Sequence, residues 1–194
     1  MIFTPDFKVR WRARWLSFLE IVKIVIISAA IVIPIRLFIV CPFYVQGASM
    51  EPNFYDKEYL LVDEISYRFR EPQRGDVVVF RYPEDPREYF IKRIIGLPGE
   101  TLKIENGGVY VLDKSNNSWT KLSESYLSSS NETSAFETKQ ITVGPDEFFV
   151  LGDNREHSRD SRYFGPVNRR YLIGRVIFRG FPLKRLQFFK APTY

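Results

Sequence analysis

The stretch DVVVFRYPEDPREYFIKRIIG, residues 76–96, decides the fold class of this chain. It contains two apolar runs, VVVF and YFIKRII, which are rich in β-branched and aromatic residues and are separated by prolines. Such runs are typical of β-strands. Because side chains alternate along a strand, the second run places Lys92 between Phe90 and Ile94 on one face. A lysine between two large apolar neighbours on one face of a strand is an unusual feature.

Strand-like runs recur over the rest of the chain after residue 42, with glycine and proline between them, and no convincing amphipathic helix interrupts them. The further runs are YLLVDE (59–64), GVYVLD (108–113), EFFVLG (147–152) and GRVIFRG (174–180). We therefore predict a mostly β fold, with an antiparallel sheet or barrel-like domain. Residues 114–140 are rich in Ser, Asn and Thr and predict a polar surface insertion between strands.

A long apolar run, IVKIVIISAAIVIPIRLFIV, occupies residues 21–40. As a helix it would be about 30 Å long, which matches the hydrocarbon core of a bilayer. The basic stretch RWRARW precedes it, so the positive-inside rule places the N-terminus in the cytoplasm. We predict a cytoplasmic segment 1–16, a transmembrane helix 17–41 and an extracytoplasmic domain 42–194. A buried core helix and a cleaved signal peptide are the alternatives, and no A-x-A cleavage site follows the run.

The charge and the cysteine content exclude several classes of function. The net charge is +5, and most of the excess lies in residues 1–40, so we expect no nucleic-acid partner. Cys41 is the single cysteine and His157 the single histidine, which leaves no internal disulfide and no spacing typical of a metal site. We expect neither a metal nor another cofactor.

Ser49 lies in the stretch GASMEPNF, residues 47–54, directly after the predicted span. A serine can act as a nucleophile only when a neighbouring base takes its proton. His157 is one candidate base, but it lies among charged residues. Lys92 is the other, because burial would penalise its ammonium form and leave a basic amine. Arg93 cannot serve, since guanidinium stays protonated.

Five stretches, taken in order, resemble the type I signal peptidases, membrane-anchored proteases that remove signal peptides from exported preproteins. They are the N-terminal span, GASMEPNF (47–54), RGDVVVF (74–80), YFIKRIIGLPGE (89–100) and GDNREHSRDSRYFG (152–165). The resemblance implies a Ser–Lys dyad in which Ser49 is the nucleophile and Lys92 the general base. It also implies that the protein resides in a membrane of the plasma or thylakoid type.

The resemblance assigns supporting roles to residues around the dyad. Ser158 is expected to hydrogen-bond the Lys92 amine, and Gly152 to let the backbone pass close to it. Asp160 is expected to pair with both Arg93 and Arg162. Gly47 stands where some members of the family carry a serine that helps to bind the oxyanion. The oxyanion would then be bound by the Ser49 N–H, with water or the Gly47 N–H as a second donor.

The expected substrate is an extended segment that pairs with strand edges near residues 43–47 and 88–92. Shallow apolar pockets would admit alanine, which agrees with the A-x-A preference of the family. The residues predicted to line these pockets are Val45, Met50, Phe54, Phe90 and Ile91. Ser49 follows the span by so few residues that it should lie within roughly 30 Å of the bilayer.

Two other classes remain open at this point. Self-cleaving transcriptional regulators share a Ser–Lys dyad, but they would need a DNA-binding domain in place of the span. A membrane-anchored β module that binds partners without catalysis is the second alternative, and loss of processing on Ser49→Ala would separate it from an enzyme.

Overall fold

The computed structural model describes residues 7–38, 40–127, 133 and 140–190. Within the described residues the chain is mostly antiparallel β, as predicted. It divides into two compact units, Met1–Val40 and Cys41–Tyr194.

The first unit contains one long helix, α1 (Phe7–Phe38). Its segment Arg14–Val32 has a mean hydropathy of 2.2, and none of that segment is buried against the protein. The apolar side chains of this segment, such as Leu16 and Ile24, are exposed. The helix is therefore long and apolar enough to cross a membrane.

The second unit is built from twelve described strands. They are β1 (Val40–Tyr44), β2 (Tyr59–Asp63), β3 (Val77–Arg81), β4 (Tyr89–Gly96), β5 (Thr101–Glu105), β6 (Gly108–Asp113), β7 (Ser118–Lys121), β8 (Gln140–Thr142), β9 (Glu147–Leu151), β10 (Val167–Asn168), β11 (Leu172–Phe181) and β12 (Gln187–Phe188). Two short helices, α2 (Ser66–Phe69) and α3 (Ser161–Phe164), lie between them. All six predicted strands are present.

The strands form two sheets. The larger runs in the order β1-β2-β11-β3-β4-β9-β10, with β12 paired to β11, and the smaller in the order β7-β6-β5-β8. Buried apolar side chains fill three clusters, two of which contain residues of β3 and β4. The strand that carries Lys92 is therefore held in the interior of the larger sheet.

The 114–140 segment is not wholly irregular. It contains β7, which pairs with β6 through Leu112 and Trp119, and Thr133 within it is buried. The prediction of a polar insertion overlooked this strand because its four residues are too short for a visible alternation. Residues 128–132 and 134–139 of the segment lie outside the described residues.

Candidate active site

Ser49 and Lys92 are in hydrogen-bond contact. The Lys92 Nζ lies 2.8 Å from the Ser49 Oγ and 2.9 Å from the main-chain oxygen of Ile91. Lys92 is only 3% exposed, and its Nζ lies 5.3 Å from the centre of the Phe90 ring. The amine is thus shielded from solvent. Its two hydrogen-bond partners within the described residues are a hydroxyl and a main-chain oxygen, and neither is charged.

The environment of Lys92 changes its acidity. Burial lowers the pKa of the Lys92 amine from 10.5 to about 8, while the charges of Asp160 and Asp153 act in the opposite direction. Desolvation dominates because a buried ammonium loses its hydration. At pH 7 a group with that pKa is neutral in about a tenth of the molecules. A usable base therefore exists near neutral pH.

The turn that carries Ser49 is anchored in the core. The Glu51 N–H donates to the Ala48 oxygen at 3.1 Å and the Phe54 N–H to the Met50 oxygen at 2.9 Å. Met50 and Phe54 are each 1% exposed and pack in a cluster with residues of β2, β3 and β11. We predicted that they would line substrate pockets. The structure places them beneath the turn instead, where they fix its position.

The loop from Gly152 to Asp160, called here the catalytic loop, closes over the same turn. The Asn154 N–H donates to the Ser49 oxygen at 3.1 Å, and its side-chain amide donates to the Ala48 oxygen at 3.1 Å. A Cβ at Gly152 would overlap the Ser158 hydroxyl and the Ser49 carbonyl. Glycine is needed at this position because two backbone segments meet here.

Ser158 does not make the predicted bond. It is 4% exposed, and its Oγ has no hydrogen-bond partner in the described part of the chain. The Lys92 amine is directed at Ser49 and at its own strand instead. Ser158 nonetheless packs against Gly152 on the inner side of the catalytic loop, and a buried hydroxyl without a partner is uncommon.

The partner of Arg93 also differs from the prediction. Arg93 makes a two-pronged ion pair with Asp153, at 2.8 and 2.6 Å, and not with Asp160. Asp160 pairs with Arg162 at 2.8 Å and accepts the Gly152 N–H at 3.0 Å. By charge alone, Asp153 and Asp160 are equivalent partners for Arg93. The path of the catalytic loop determines which of the two pairs with it.

The Gly47 N–H is not directed at the site, because it donates to the Asp56 carboxylate at 2.9 Å. Gly47 has φ +86°, a conformation that suits glycine. The Ser49 N–H makes no hydrogen bond within the described residues. Of the two backbone donors predicted for an oxyanion, the one at Ser49 is therefore available and the one at Gly47 is occupied.

A groove of about 670 Å³ opens beside the dyad. Its lining includes three predicted pocket residues, Val45, Phe90 and Ile91. Five further lining residues belong to the strand edges predicted near 43–47 and 88–92, namely Phe43, Tyr44, Gln46, Glu88 and Tyr89. Sequence reasoning missed the others, Leu60, Val79, Arg87 and Arg159. β1 is an edge strand, and the first residues of β4 extend beyond its pairing with β9, which begins at Arg93. The groove thus has strand edges that can accept an extended chain.

His157 lies apart from this arrangement. It is exposed, it does not line the groove, and its Nδ1 lies 3.4 Å from the Asn154 side-chain oxygen. Among the described residues there is also no group of three or more His, Cys, Asp or Glu that could hold a metal ion.

Comparison with known proteins places this chain in a family of peptidases. The family described as signal peptidase, peptidase S26, matches residues 18–181. The chain belongs to that family, and it is accordingly a serine peptidase.

Two relatives agree with this assignment. The chain is 38% identical to a probable signal peptidase I-2 from Synechocystis sp., over 88% of this chain and 76% of the relative. It is 36% identical to signal peptidase I V from Bacillus subtilis, over 77% of this chain and 90% of the relative. A crystal structure of a signal peptidase I from Enterococcus faecalis is 34% identical, with a TM-score of 0.44, and covers 55% of this chain and 97% of that one.

Proposed function

We propose that this protein is a membrane-bound endopeptidase that removes N-terminal signal peptides from exported preproteins after small residues of the A-x-A type. The observation that carries the proposal is the 2.8 Å contact between Ser49 Oγ and an almost fully buried Lys92 amine. The names of the relatives supply the substrate class.

In the proposed reaction, neutral Lys92 takes the proton from Ser49 as the Oγ attacks the scissile carbonyl. The negative charge that develops on the carbonyl oxygen is bound by the Ser49 N–H. Lys92 then gives a proton to the leaving amine, and the acyl group stays on Ser49. A water molecule, deprotonated by Lys92, hydrolyses this ester and restores the dyad.

Substrate selection follows from the groove. An extended signal peptide would pair with the edges formed by β1 and the start of β4. Its alternate side chains would then face Val45, Phe90 and Ile91, which line the groove. Bulky apolar walls leave shallow pockets, so alanine would be preferred over larger residues. Three residues of the catalytic loop, Gly152, Ser158 and Asp160, would hold Lys92 and Ser49 in their relative positions.

The proposed topology has residues 1–16 in the cytoplasm, residues 17–41 as the single membrane span and residues 42–194 on the extracytoplasmic side. Its support is the exposed apolar helix with basic residues ahead of it. The substrate is a preprotein that is itself held in the membrane, so an anchor on the enzyme brings the two together. Nucleic acid has no part in the proposal.

The test is a preprotein-processing assay with the full chain in detergent or liposomes. Ser49→Ala and Lys92→Ala should each lower the rate at least about a thousandfold, because each removes a reacting group. His157→Ala should process at the wild-type rate. Full activity of Ser49→Ala would contradict the proposal, and a large loss in His157→Ala would reverse the choice of base.

A further inference from the structure

We propose that residues 124–127 and Thr133, called here the strap, position the catalytic groups for the reaction described above, on whose assignment this inference rests. The strap belongs to the polar segment 114–140, which the sequence predicts to be a surface insertion. Its described residues instead contact all three elements that build the site: the catalytic loop, strand β4 and the turn that carries Ser49.

The first contact neutralises a buried arginine of the catalytic loop. The Arg155 side chain is fully buried, and its Nε donates to the Gly152 oxygen at 3.0 Å. The carboxylate that pairs with its guanidinium belongs to Glu124, which is itself 8% exposed. Glu124 Oε2 accepts from the Arg155 guanidinium at 3.0 Å, and the Thr133 hydroxyl accepts a further bond from it. A buried charge needs such a partner, so the loop depends on the strap.

The second contact is made by Tyr126. The Arg93 guanidinium lies 4.0 Å from the centre of the Tyr126 ring, which places the strap against the residue that follows Lys92 in β4. The Tyr126 hydroxyl donates to Glu124 at 2.6 Å. The same tyrosine therefore links the Arg93–Asp153 ion pair to the Arg155–Glu124 ion pair.

The third contact reaches the nucleophile turn. The Asn53 side-chain amide donates to the Tyr126 main-chain oxygen at 2.9 Å and to the Asp153 carboxylate at 2.9 Å. Asn53 lies four residues after Ser49. The turn, the catalytic loop and the strap thus share one set of hydrogen bonds.

These contacts matter for the chemistry because the catalytic loop bonds directly to the backbone of Ala48 and Ser49 through Asn154. A displaced loop would shift the Ser49 carbonyl and, with it, the Oγ that lies 2.8 Å from Lys92. A misplacement of about 1 Å can reduce a rate about a hundredfold. Neither Glu124 nor Tyr126 lines the substrate groove. They are positioning residues, and their loss should reduce kcat and leave KM nearly unchanged.

The experiment measures kcat, KM and the pH profile of kcat/KM for the full chain in detergent, with a short peptide that spans a signal-peptide cleavage site. Glu124→Gln keeps the shape of the side chain and removes its charge. We expect kcat to fall about 10- to 100-fold with KM within about twofold. A loosened loop would also let water reach Lys92, so the midpoint of the profile should move to higher pH, by about half a pH unit, even with Asp153 and Asp160 still facing the amine.

Glu100→Gln is the matched control. Glu100 pairs with Arg74 at 2.5 Å, is 24% exposed, and lies outside the site described above. Its loss should leave kcat and the pH midpoint unchanged. Tyr126→Phe is the second test variant, because it keeps the ring over Arg93 and removes the hydroxyl that donates to Glu124 and accepts from the Arg155 guanidinium at 3.5 Å. It should lower kcat about 3- to 10-fold.

Wild-type kcat and pH midpoint in Tyr126→Phe, or in a folded Glu124→Gln protein, would overturn the inference. So would an equal loss in Glu100→Gln, since that would mark a general effect of removing an ion pair. If Glu124→Gln fails to fold, Tyr126→Phe decides. Failure of the proposed function itself is distinguished by Ser49→Ala, which must be inactive for the strap to have catalytic groups to position.

Discussion

At the residue scale, the chemistry of the site depends on the exclusion of water from the Lys92 amine. The strand alternation around Lys92 predicted an amine between Phe90 and Ile94, and both belong to one apolar cluster in the structure. Within the described residues, the Lys92 amine has two hydrogen-bond partners, Ser49 Oγ and the Ile91 oxygen. An opposing carboxylate in direct contact would have stabilised the ammonium. Asp153 and Asp160 instead have arginine partners of their own, Arg93 and Arg162.

The pH dependence of processing follows from that environment. Burial lowers the pKa of Lys92 to about 8, and in the proposed mechanism the neutral amine is the reactive form. Below pH 8 the rate should therefore rise about tenfold per pH unit, and above it should level off. Initial rates of peptide cleavage between about pH 6 and 9.5 test this. A profile that bends near the ordinary pKa of histidine, about 6.5, would identify a different base.

The same pKa also affects stability. The folded-state pKa lies below the ordinary value of 10.5, so the unfolded chain binds more protons between about pH 8 and 10.5. The contribution of Lys92 to the free energy of unfolding is therefore unfavourable at pH 7, and this penalty disappears as the pH rises through that window.

Gly152→Ala tests the closeness of the catalytic loop to the nucleophile. The added Cβ would overlap the Ser158 side chain and the Ser49 main-chain oxygen, and the backbone oxygen cannot rotate away. We expect kcat/KM to fall at least about a hundredfold and the free energy of unfolding to drop by about 1–3 kcal/mol. Gly180→Ala is the control, because a Cβ there meets its nearest atom at 3.6 Å. A fully active Gly152→Ala enzyme would show that the loop can move without loss of function.

At the element scale, β4 fixes the dyad through the ion pair that follows Lys92. Arg93 is 6% exposed, and besides the Asp153 pair its guanidinium donates to the Gly75 oxygen at 3.0 Å. Arg93→Lys keeps the charge but loses the planar fork that bonds both carboxylate oxygens. We expect the free energy of unfolding to fall by about 2 kcal/mol and kcat to drop about tenfold or more.

Thermal unfolding and peptide cleavage on the same Arg93→Lys preparation measure both effects. Arg169→Lys serves as the comparison, because Arg169 pairs with Glu71 on the surface, where the two side chains are 37% and 75% exposed. Surface ion pairs contribute little, so this variant should behave as wild type. Equal losses in the two variants would contradict the role given to Arg93.

Elements with a strong local sequence pattern could be predicted from the sequence. Long strands such as β4 and β11 show apolar and β-branched runs, and Ser49 and Lys92 lie in motifs with a chemical reason for their residue types. Short strands such as β8 and β10, with three and two residues, carry too few side chains for any periodicity.

Features that depend on the path of a loop were not predictable in the same way. Asp153 and Asp160 are equivalent by charge, and only the backbone route gives Arg93 to Asp153. Met50 and Phe54 have the apolar character of either a pocket or a core. Glu124 and Arg155 are 31 residues apart in the chain. The polar segment that contains Glu124 has no repeating pattern from which their contact could be predicted.

At the scale of the whole molecule, the catalytic unit carries an exposed apolar surface of its own. It consists of Tyr59, Phe181, Leu183, Leu186 and Phe188, each at least half exposed. The Tyr59 ring contacts that of Tyr44, which lines the groove, at 5.0 Å between centroids. The surface is therefore continuous with the proposed substrate site. The exposed Lys184 lies within it in sequence and is a cation for lipid phosphates, so we expect this surface to lie on the bilayer.

Replacement of Leu183, Leu186 and Phe188 by serine tests that expectation. All three side chains are at least half exposed, and the ring contact of Phe188 with Phe178 lies at the surface, so folding should change little. Burial of each side chain in the headgroup region would be lost. We expect processing of a preprotein embedded in liposomes to slow about 3- to 10-fold, and cleavage of a short soluble peptide in detergent to continue at the wild-type rate. Phe69→Ser is the control, since Phe69 is 85% exposed but belongs to α2, outside this surface. Equal slowing on both substrates would point to a damaged site, and no slowing on either would mean that the helix alone brings the enzyme to its membrane-held substrate.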